Sequence, residues 1–342
     1  YKDLAECPDG IFLWGTHRKP GTLNPLDGRS IELVKQMYQD MLPFSNSKYF
    51  NMNFDEPFEL GKGKSKEACE EKGLGNVYID YTLQAYEEIK KHGKIPMMWG
   101  DVLIHHPDAL DRLPSDMLFI DWGYDGNYPF RKNLKLLQEK NIEFLAAPGT
   151  TSWVSLAGRT MDMLFNIYNA HVYTKEYQGK GVILTDWGDF GHLQYWPISL
   201  PALVFNALLS WRVSEGAYTD LKHVLNRYVF MDENKLIADI LLDFGTYNKY
   251  ENGYMSNGTQ TFYGLIWMEN SLKETDPLSY FQERFRQNPM NELQYIMMQR
   301  HFKDIKERLG FTEMKKTDQN WIKEEVIQTI DFLTLIQKVI LS

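Results

Sequence analysis

The sequence predicts an α/β fold: a (β/α)8 TIM-type barrel lacking its first strands in this chain, followed by an all-helical C-terminal domain. Two observations carry that prediction. From residue 29 to about 215, amphipathic helical stretches alternate with short runs dense in Ile, Val, Leu, Phe and Met, which is the pattern of repeated βα units. After about residue 216 only helical stretches remain. The expected organisation is a barrel portion over 1–215, about strands four to eight, and a helical domain over 216–342.

Taken in order, the predicted strands are 48–54, 95–99, 117–122, 142–147 and 182–187. The predicted helices between them are 31–41, 77–91, 131–140 and 161–173, and a helix over 200–211 completes the last unit. Each predicted strand ends in polar or aromatic side chains, which suits a barrel whose C-terminal rim is the active face. An open doubly wound sheet is the alternative, but it normally gathers its ligand groups at one switch point, often with a Gly-rich phosphate loop. No GxGxxG or Walker-type loop is found. Five strands are too few to close an eight-stranded barrel, and no strand signal follows 182–187, so the shortfall is expected at the N-terminus. Either the chain is a fragment of a longer polypeptide or a partner polypeptide supplies the missing strands. In the helical domain the predicted helices are 221–230, 235–246, 292–309 and 321–341. The Tyr- and Gly-rich segment 247–263 reads as a loop, with Asn252-Gly253 and Asn257-Gly258 as turn signals.

At 342 residues and 43% hydrophobic, the chain can bury a sizeable core. Its formal charge of −9 and pI near 5.5 leave no basic stripe to neutralise phosphates, so no nucleic-acid partner is expected. No apolar stretch has the length of a membrane span, and no membrane role is expected. The first residues have neither a basic nor an apolar leader pattern, and there is no initiator Met. The chain therefore reads as a processed or truncated piece, with a cytoplasmic location as the expectation. Cys7 and Cys69 match no metal or redox spacing and read as two inert thiols, a single disulfide being the alternative. His105, His106 and His192 lack a third ligand at useful spacing, so neither a metal nor another cofactor is expected.

The sharpest local feature is Phe50-Asn51-Met52-Asn53-Phe54-Asp55-Glu56-Pro57, two adjacent carboxylates after an apolar run and directly before a proline. Acidic pairs commonly are solvated loop residues. A glycosidase normally places two carboxyls across the scissile bond from two different strands, whereas neighbours on one strand point opposite ways. An adjacent Asp-Glu suits instead a reaction in which the substrate's own 2-acetamido oxygen is the nucleophile. Tryptophans and tyrosines following the other apolar runs would suit a sugar-binding surface, although aromatics also fill ordinary cores.

Several motifs together resemble glycoside hydrolase family 20, in a bacterial branch with a helical C-terminal domain. Asp55-Glu56 is similar to the end of the family's fourth-strand motif. Met97-Met98-Trp99-Gly100-Asp101 resembles the fifth, Phe119-Ile120-Asp121-Trp122 the sixth, Leu145-Ala146-Ala147-Pro148-Gly149-Thr150 the seventh and Thr185-Asp186-Trp187-Gly188-Asp189 the eighth. The opening Leu4-Ala5-Glu6-Cys7-Pro8-Asp9-Gly10 resembles the loop after the third strand. The resemblance implies a retaining exo-β-N-acetylhexosaminidase that releases terminal GlcNAc or GalNAc through an oxazolinium intermediate. Glu56 would be the general acid and then base, with a raised pKa. Asp55 would hold the acetamido N–H and stabilise the developing charge. Trp99, Trp122 and Trp187 would wall the terminal-sugar pocket, and Asp189 would accept hydrogen bonds from the sugar's outer hydroxyls.

The chain also departs from the family. The seventh-strand motif continues as Gly149-Thr150-Thr151-Ser152-Trp153, without the tyrosine that bonds the acetamido oxygen. Tyr124 is the expected substitute, and Trp153 is expected to wall the pocket or the leaving-group side. Nothing resembles the first three strands or their sugar-gripping arginine. Asp101 reads by itself as the cap of a helix beginning near Val102, and Asp189 as a loop cap. The alternatives to the hexosaminidase reading are a lacto-N-biosidase-like relative and a non-catalytic sugar-binding fragment. The expected partner is a glycan with a terminal β-linked N-acetylhexosamine. A homodimer through the helical domain, or a segment supplied from elsewhere, would be the protein partner.

Overall fold

The computed structural model describes residues 2–13, 16–214, 216–286 and 290–341. The chain opens with an antiparallel hairpin, β1 (Ile11–Leu13) and β2 (Thr16–Arg18). A five-stranded sheet follows in the order β3 (Tyr49–Asn51), β4 (Ile95–Trp99), β5 (Leu118–Trp122), β6 (Phe144–Ala147), β7 (Gly181–Val182). β3 and β4 pair in parallel with Tyr49 opposite Ile95, and β4 and β5 with Met97 opposite Leu118. Spatial neighbours are therefore sequence neighbours, and parallel pairing demands a crossover at every step. The crossovers are helical: α2 (Lys66–Lys72) and α3 (Leu74–Lys91), then α4 (Pro107–Leu110), α5 (Phe130–Glu139) and α6 (Thr160–Glu176), with α1 (Gly28–Met41) preceding β3. Among the described residues the sheet does not close, β3 and β7 remaining its two edges. The result is a partial α/β barrel-like arrangement followed by a helical C-terminal region.

β4 coincides with the predicted 95–99 strand, whereas β3 and β7 are shorter than predicted. β3 stops at Asn51 because Asn53 and Phe54 take left-handed backbone conformations, φ 67° and 72°, which leave the extended region. After Val182 the pairing lapses and returns only as a parallel bridge between Gly149 and Thr185. The hairpin β1–β2 was not predicted, since three-residue strands carry too little alternation to register.

The chain divides into two compact units. The first comprises Tyr1–Trp122, Pro129–Ala146 and Tyr173–Gly181. Its core contains Ile79, Ile89, Met98, Phe119 and Ile120, all fully buried. α1 starts where the Asp27 carboxylate accepts the Arg29 N–H at 3.0 Å, satisfying a donor that the first turn leaves open. From the same helix Tyr38 donates to the Met52 carbonyl at 3.0 Å, and Gln39 donates to Glu88 of α3 at 2.9 Å. Cys7 and Cys69 are both free thiols, each with its pKa raised chiefly by burial.

The second unit comprises Gly123–Tyr128, Ala147–Val172 and Val182–Ser342. Its helices are α7 (Trp196–Trp211), α8 (Ala217–Val224), α9 (Ile237–Phe244), α10 (Gln260–Ser271), α11 (Pro277–Phe285), α12 (Glu292–Gly310) and α13 (Gln319–Leu341). The segment predicted as a loop over 247–263 begins with a 3-10 turn, Tyr247–Tyr250, and runs into α10. That helix starts there because the Glu251 carboxylate accepts the Gln260 and Thr261 N–H groups, both at 2.8 Å, while Thr259 accepts from Phe262. A reciprocal Asn291–Gln294 capping box starts α12. Fully buried Tyr247 donates to the Ser155 carbonyl at 2.6 Å and, with Phe244, packs against Phe302. Among the described residues no helix is long and apolar enough to cross a membrane.

Gly100, immediately after β4, has no room for a side chain: an added Cβ would meet the buried Phe119 ring at 2.0 Å. Gly100→Ala is expected to destabilise the protein by about 1–3 kcal/mol through overpacking, read as a lower denaturation midpoint with an unchanged denaturant slope.

Candidate active site

Parallel order places the C-terminal ends of β3, β4 and β5 side by side. Asp55 and Glu56 follow β3, Trp99 ends β4 with Asp101 two residues on, and Trp122 ends β5. Topology alone therefore puts these residues on one end of the first unit's sheet. The Asp55-Glu56 pair is exposed, while Trp99, Asp101 and Trp122 are half-buried.

The strand ends at Asn51, three residues short of the predicted 48–54, and so does not run up to the pair. The pair sits in a loop in which Asn53, Phe54 and Glu56 have φ of 67°, 72° and 50°. Left-handed backbone costs an L-residue about 1–2 kcal/mol, and for a bulky residue such as Phe it is a genuine outlier. The loop is held by contacts from separate elements. Met52 N–H bonds to the Met97 carbonyl at 2.8 Å, Trp99 N–H to the Asn53 carbonyl at 3.1 Å, and Tyr78 donates its hydroxyl to the Phe54 carbonyl at 2.6 Å. The Phe54 ring lies edge-on to Tyr78 and tilted against Tyr81, with centroids at 6.2 and 5.8 Å. Burial, with Asp101 and Asp55 nearby, pushes the Tyr78 phenol well above its ordinary value, so it stays a neutral donor.

Asp101 is where the sequence reading needs correction. The turn that follows it, Leu103–His105, has no side-chain cap. The Asp101 carboxylate instead accepts the Glu56 backbone N–H at 3.0 Å and the Trp122 indole N–H at 3.2 Å. Burial raises its pKa, against the pull of these two hydrogen bonds.

In the second unit Tyr124, Trp153 and Trp187 come together. Trp187 donates its indole N–H to the Tyr124 hydroxyl at 2.9 Å, and Trp153 meets the Tyr124 ring edge-on at 5.0 Å. Tyr124 is buried and Trp153 fully so, whereas Trp187 is 38% exposed. Gly149 makes the cluster sterically feasible, since a Cβ there would lie 2.3 Å from Trp153 and 2.8 Å from Tyr124. Below it Thr150 and Ser152 both donate to one Asp186 oxygen, at 2.5 and 2.9 Å, and Ser152 meets Ser199 at 2.8 Å. Asp189 is exposed and forms no part of this cluster; partial desolvation pushes its carboxyl up.

The loop bearing Tyr124 is anchored through the next residue. Arg159, whose side chain is fully buried, pairs with Asp125 at 2.7 Å and Asp162 at 3.4 Å. Asp125 also accepts from Ser256 at 2.5 Å and from the Asn257 N–H at 2.8 Å. Burial works to raise the Asp125 carboxyl, but the Ser256 hydroxyl and the Arg159 guanidinium outweigh it and hold the pKa below the usual range. Asn166 adds bonds to the Gly123 and Asp125 carbonyls at 2.8 and 3.0 Å and accepts the Gly149 N–H at 3.0 Å. Sequence reasoning missed Tyr78, Arg159 and Asn166, which lie on helices or at a helix start and whose roles depend on residues far away in the chain. Asp101 was visible, two residues after Trp99, but assigned the wrong partner. Among the described residues no group of three or more His, Cys, Asp or Glu side chains is arranged to hold a metal ion.

No family model matches the chain. No curated protein matches it either. Among solved structures, the crystal structure of beta-N-acetylhexosaminidase from Bacteroides fragilis NCTC 9343 aligns with 65% of this chain at 14% identity and a TM-score of 0.46. The aligned part covers 47% of that protein, so the chain spans about half its length. A likeness of that size assigns neither family nor activity to this chain.

Two substitutions test the geometry. Tyr78→Phe leaves the Phe54 carbonyl without its donor and is expected to cost about 1 kcal/mol of stability, measured by chemical denaturation. Arg159→Met leaves Asp125 and Asp162 facing each other without a counter-charge and is expected to cost about 3 kcal/mol, seen as a lower Tm.

Proposed function

We propose that the chain is the catalytic portion of a retaining exo-β-N-acetylhexosaminidase related to glycoside hydrolase family 20. The observation that carries this reading is the exposed Asp55-Glu56 pair, set in a strained left-handed loop at the C-terminal end of a parallel strand with Trp99 and Trp122 ending the next two strands. Strain of this kind persists only where the surroundings over-determine it, and it concentrates at functional sites.

In this reading Glu56 protonates the glycosidic oxygen while the substrate's acetamido carbonyl oxygen attacks the anomeric carbon, and the bond to the leaving group breaks. Asp55, ionised, accepts the acetamido N–H and offsets the positive charge of the oxazolinium ring. Glu56, now a carboxylate, takes a proton from the water that opens the ring. Two inversions at one carbon give net retention. Trp99 and Trp122 would stack on the sugar and clasp the acetamido methyl. By the same motif resemblance Trp187 and Asp189 would contact the sugar and Tyr124 would bond the acetamido oxygen, and Trp153 would wall the pocket or the leaving-group side. The barrel portion would be 1–215 and the helical domain 216–342.

A second reading is favoured by one observation. Because the described sheet is open, the chain would bind a terminal N-acetylhexosamine without turning it over unless further strands are supplied.

Hydrolysis of aryl β-GlcNAc, β-GalNAc and β-glucoside substrates separates the two. The enzyme reading expects cleavage of the acetamido sugars alone and a loss of about 10²–10⁴-fold in Glu56→Gln. Binding of N-acetylhexosamine that disappears in Trp99→Ala, with no cleavage of any substrate, would select the second reading.

A further inference from the structure

We infer that Asp101 is a positioning residue for Glu56: one carboxylate oxygen holds the Glu56 backbone N–H, the other holds the Trp122 indole N–H, and together they fix the direction in which the Glu56 side chain leaves the chain. The inference deepens the proposed function and rests on the reading of Glu56 as the proton donor.

Glu56 has φ 50°, a conformation that costs a residue with a Cβ about 1–2 kcal/mol. Released from its partner, this backbone would relax toward negative φ, and the Cα–Cβ bond would turn with it. On the N–H side relaxation is opposed by the 3.0 Å contact from Glu56 N–H to Asp101 Oδ2, while the Glu56 carbonyl accepts the Phe58 N–H at 2.7 Å. Tyr78 and Trp99 hold the preceding residues, Phe54 and Asn53, by their carbonyls and leave the Glu56 N–H to Asp101. Asp101 is itself oriented by the 3.2 Å bond from Trp122 Nε1 to Oδ1. The carboxylate thereby ties together the loops and ends of three consecutive parallel strands, β3, β4 and β5.

The chemistry requires a carboxylate. The Glu56 N–H and the Trp122 indole N–H are both donors, one to each oxygen of Asp101, so both oxygens must accept. An asparagine offers one accepting oxygen and would turn its NH₂ toward the other donor, leaving that contact repulsive. Partial burial of the site strengthens the two real bonds and makes a lost one more costly.

Hydrogen exchange on the whole chain reads the Glu56 amide directly. In the wild type this amide is expected to exchange at least about tenfold more slowly than an unprotected loop amide, although Glu56 is exposed. In Asp101→Asn that protection should vanish while the sheet amides of Met52 and Phe119 keep theirs. On aryl β-GlcNAc the same variant should lose about a hundredfold in kcat, the effect of displacing a catalytic group by about 1 Å, with KM held within about twofold. Rapid exchange at Glu56 in the wild type overturns the inference even if the variant fails to fold. Retained protection in Asp101→Asn overturns it, and so does lost protection with kcat unchanged. If the wild type cleaves no substrate, the proposed activity fails, while the exchange measurement still decides whether Asp101 holds Glu56.

Discussion

The short loop after β3 is the constraint on which the candidate active site depends. Three residues there, Asn53, Phe54 and Glu56, are left-handed without being glycine, at about 1–2 kcal/mol for Phe54 and Glu56 and less for Asn53, whose short amide tolerates this region. The hydrogen bonds contributed by Tyr38, Tyr78, Trp99 and Asp101, at about 1 kcal/mol each, are of the same size. The loop is therefore close to balance, and its shape is a property of the elements around it. A chain of the same local sequence without α1, α3, β4 and the Asp101 turn would have none of these bonds to offset the left-handed residues and would relax to ordinary backbone.

A parallel sheet supplies those surroundings economically. Because every strand runs the same way, every strand delivers its C-terminal end to one side, and residues 45 and 21 positions apart in sequence meet at Asp101. Helices α1 and α3 send Tyr38 and Tyr78 to the loop from different directions, and each phenol has its pKa raised by burial and so remains a donor. Rigid elements thus hold the strained loop, which is the arrangement that precise catalytic geometry requires.

The second unit reaches a similar end by different means. Its Tyr124 is fixed by aromatic packing against Trp153 and by the Trp187 indole, and the next residue, Asp125, is locked by a buried arginine. A buried ion pair adds little net stability, because desolvation offsets attraction, but it is unforgiving of alternatives. Gly149 shows the same economy in steric terms: it is small because Trp153 and Tyr124 occupy the space its side chain would need. Trp153, expected to wall the pocket or the leaving-group side, is fully buried and meets the Tyr124 ring edge-on.

The alternation of strands and helices was legible in the sequence because burial imposes periods of 2.0 and 3.6 on local side chains, and those periods survive without coordinates. β4 was read correctly to the residue, α1, α3, α5 and α12 to within a few, and the residues at the strand ends could be named in order. Elements without a burial rhythm escaped: α2 is charged apart from Ala68 and Cys69 and buries no residue, β1 and β2 are three residues each, and α10 begins where Glu251 and Thr259 cap it. What the tertiary structure alone decided is the sign of φ at Phe54 and Glu56 and the partners of Asp101, Tyr78 and Arg159. Those depend on hydrogen bonds between distant segments, and a hydrogen bond is set by the positions of two groups in space, about which the spacing of residues along one chain says nothing.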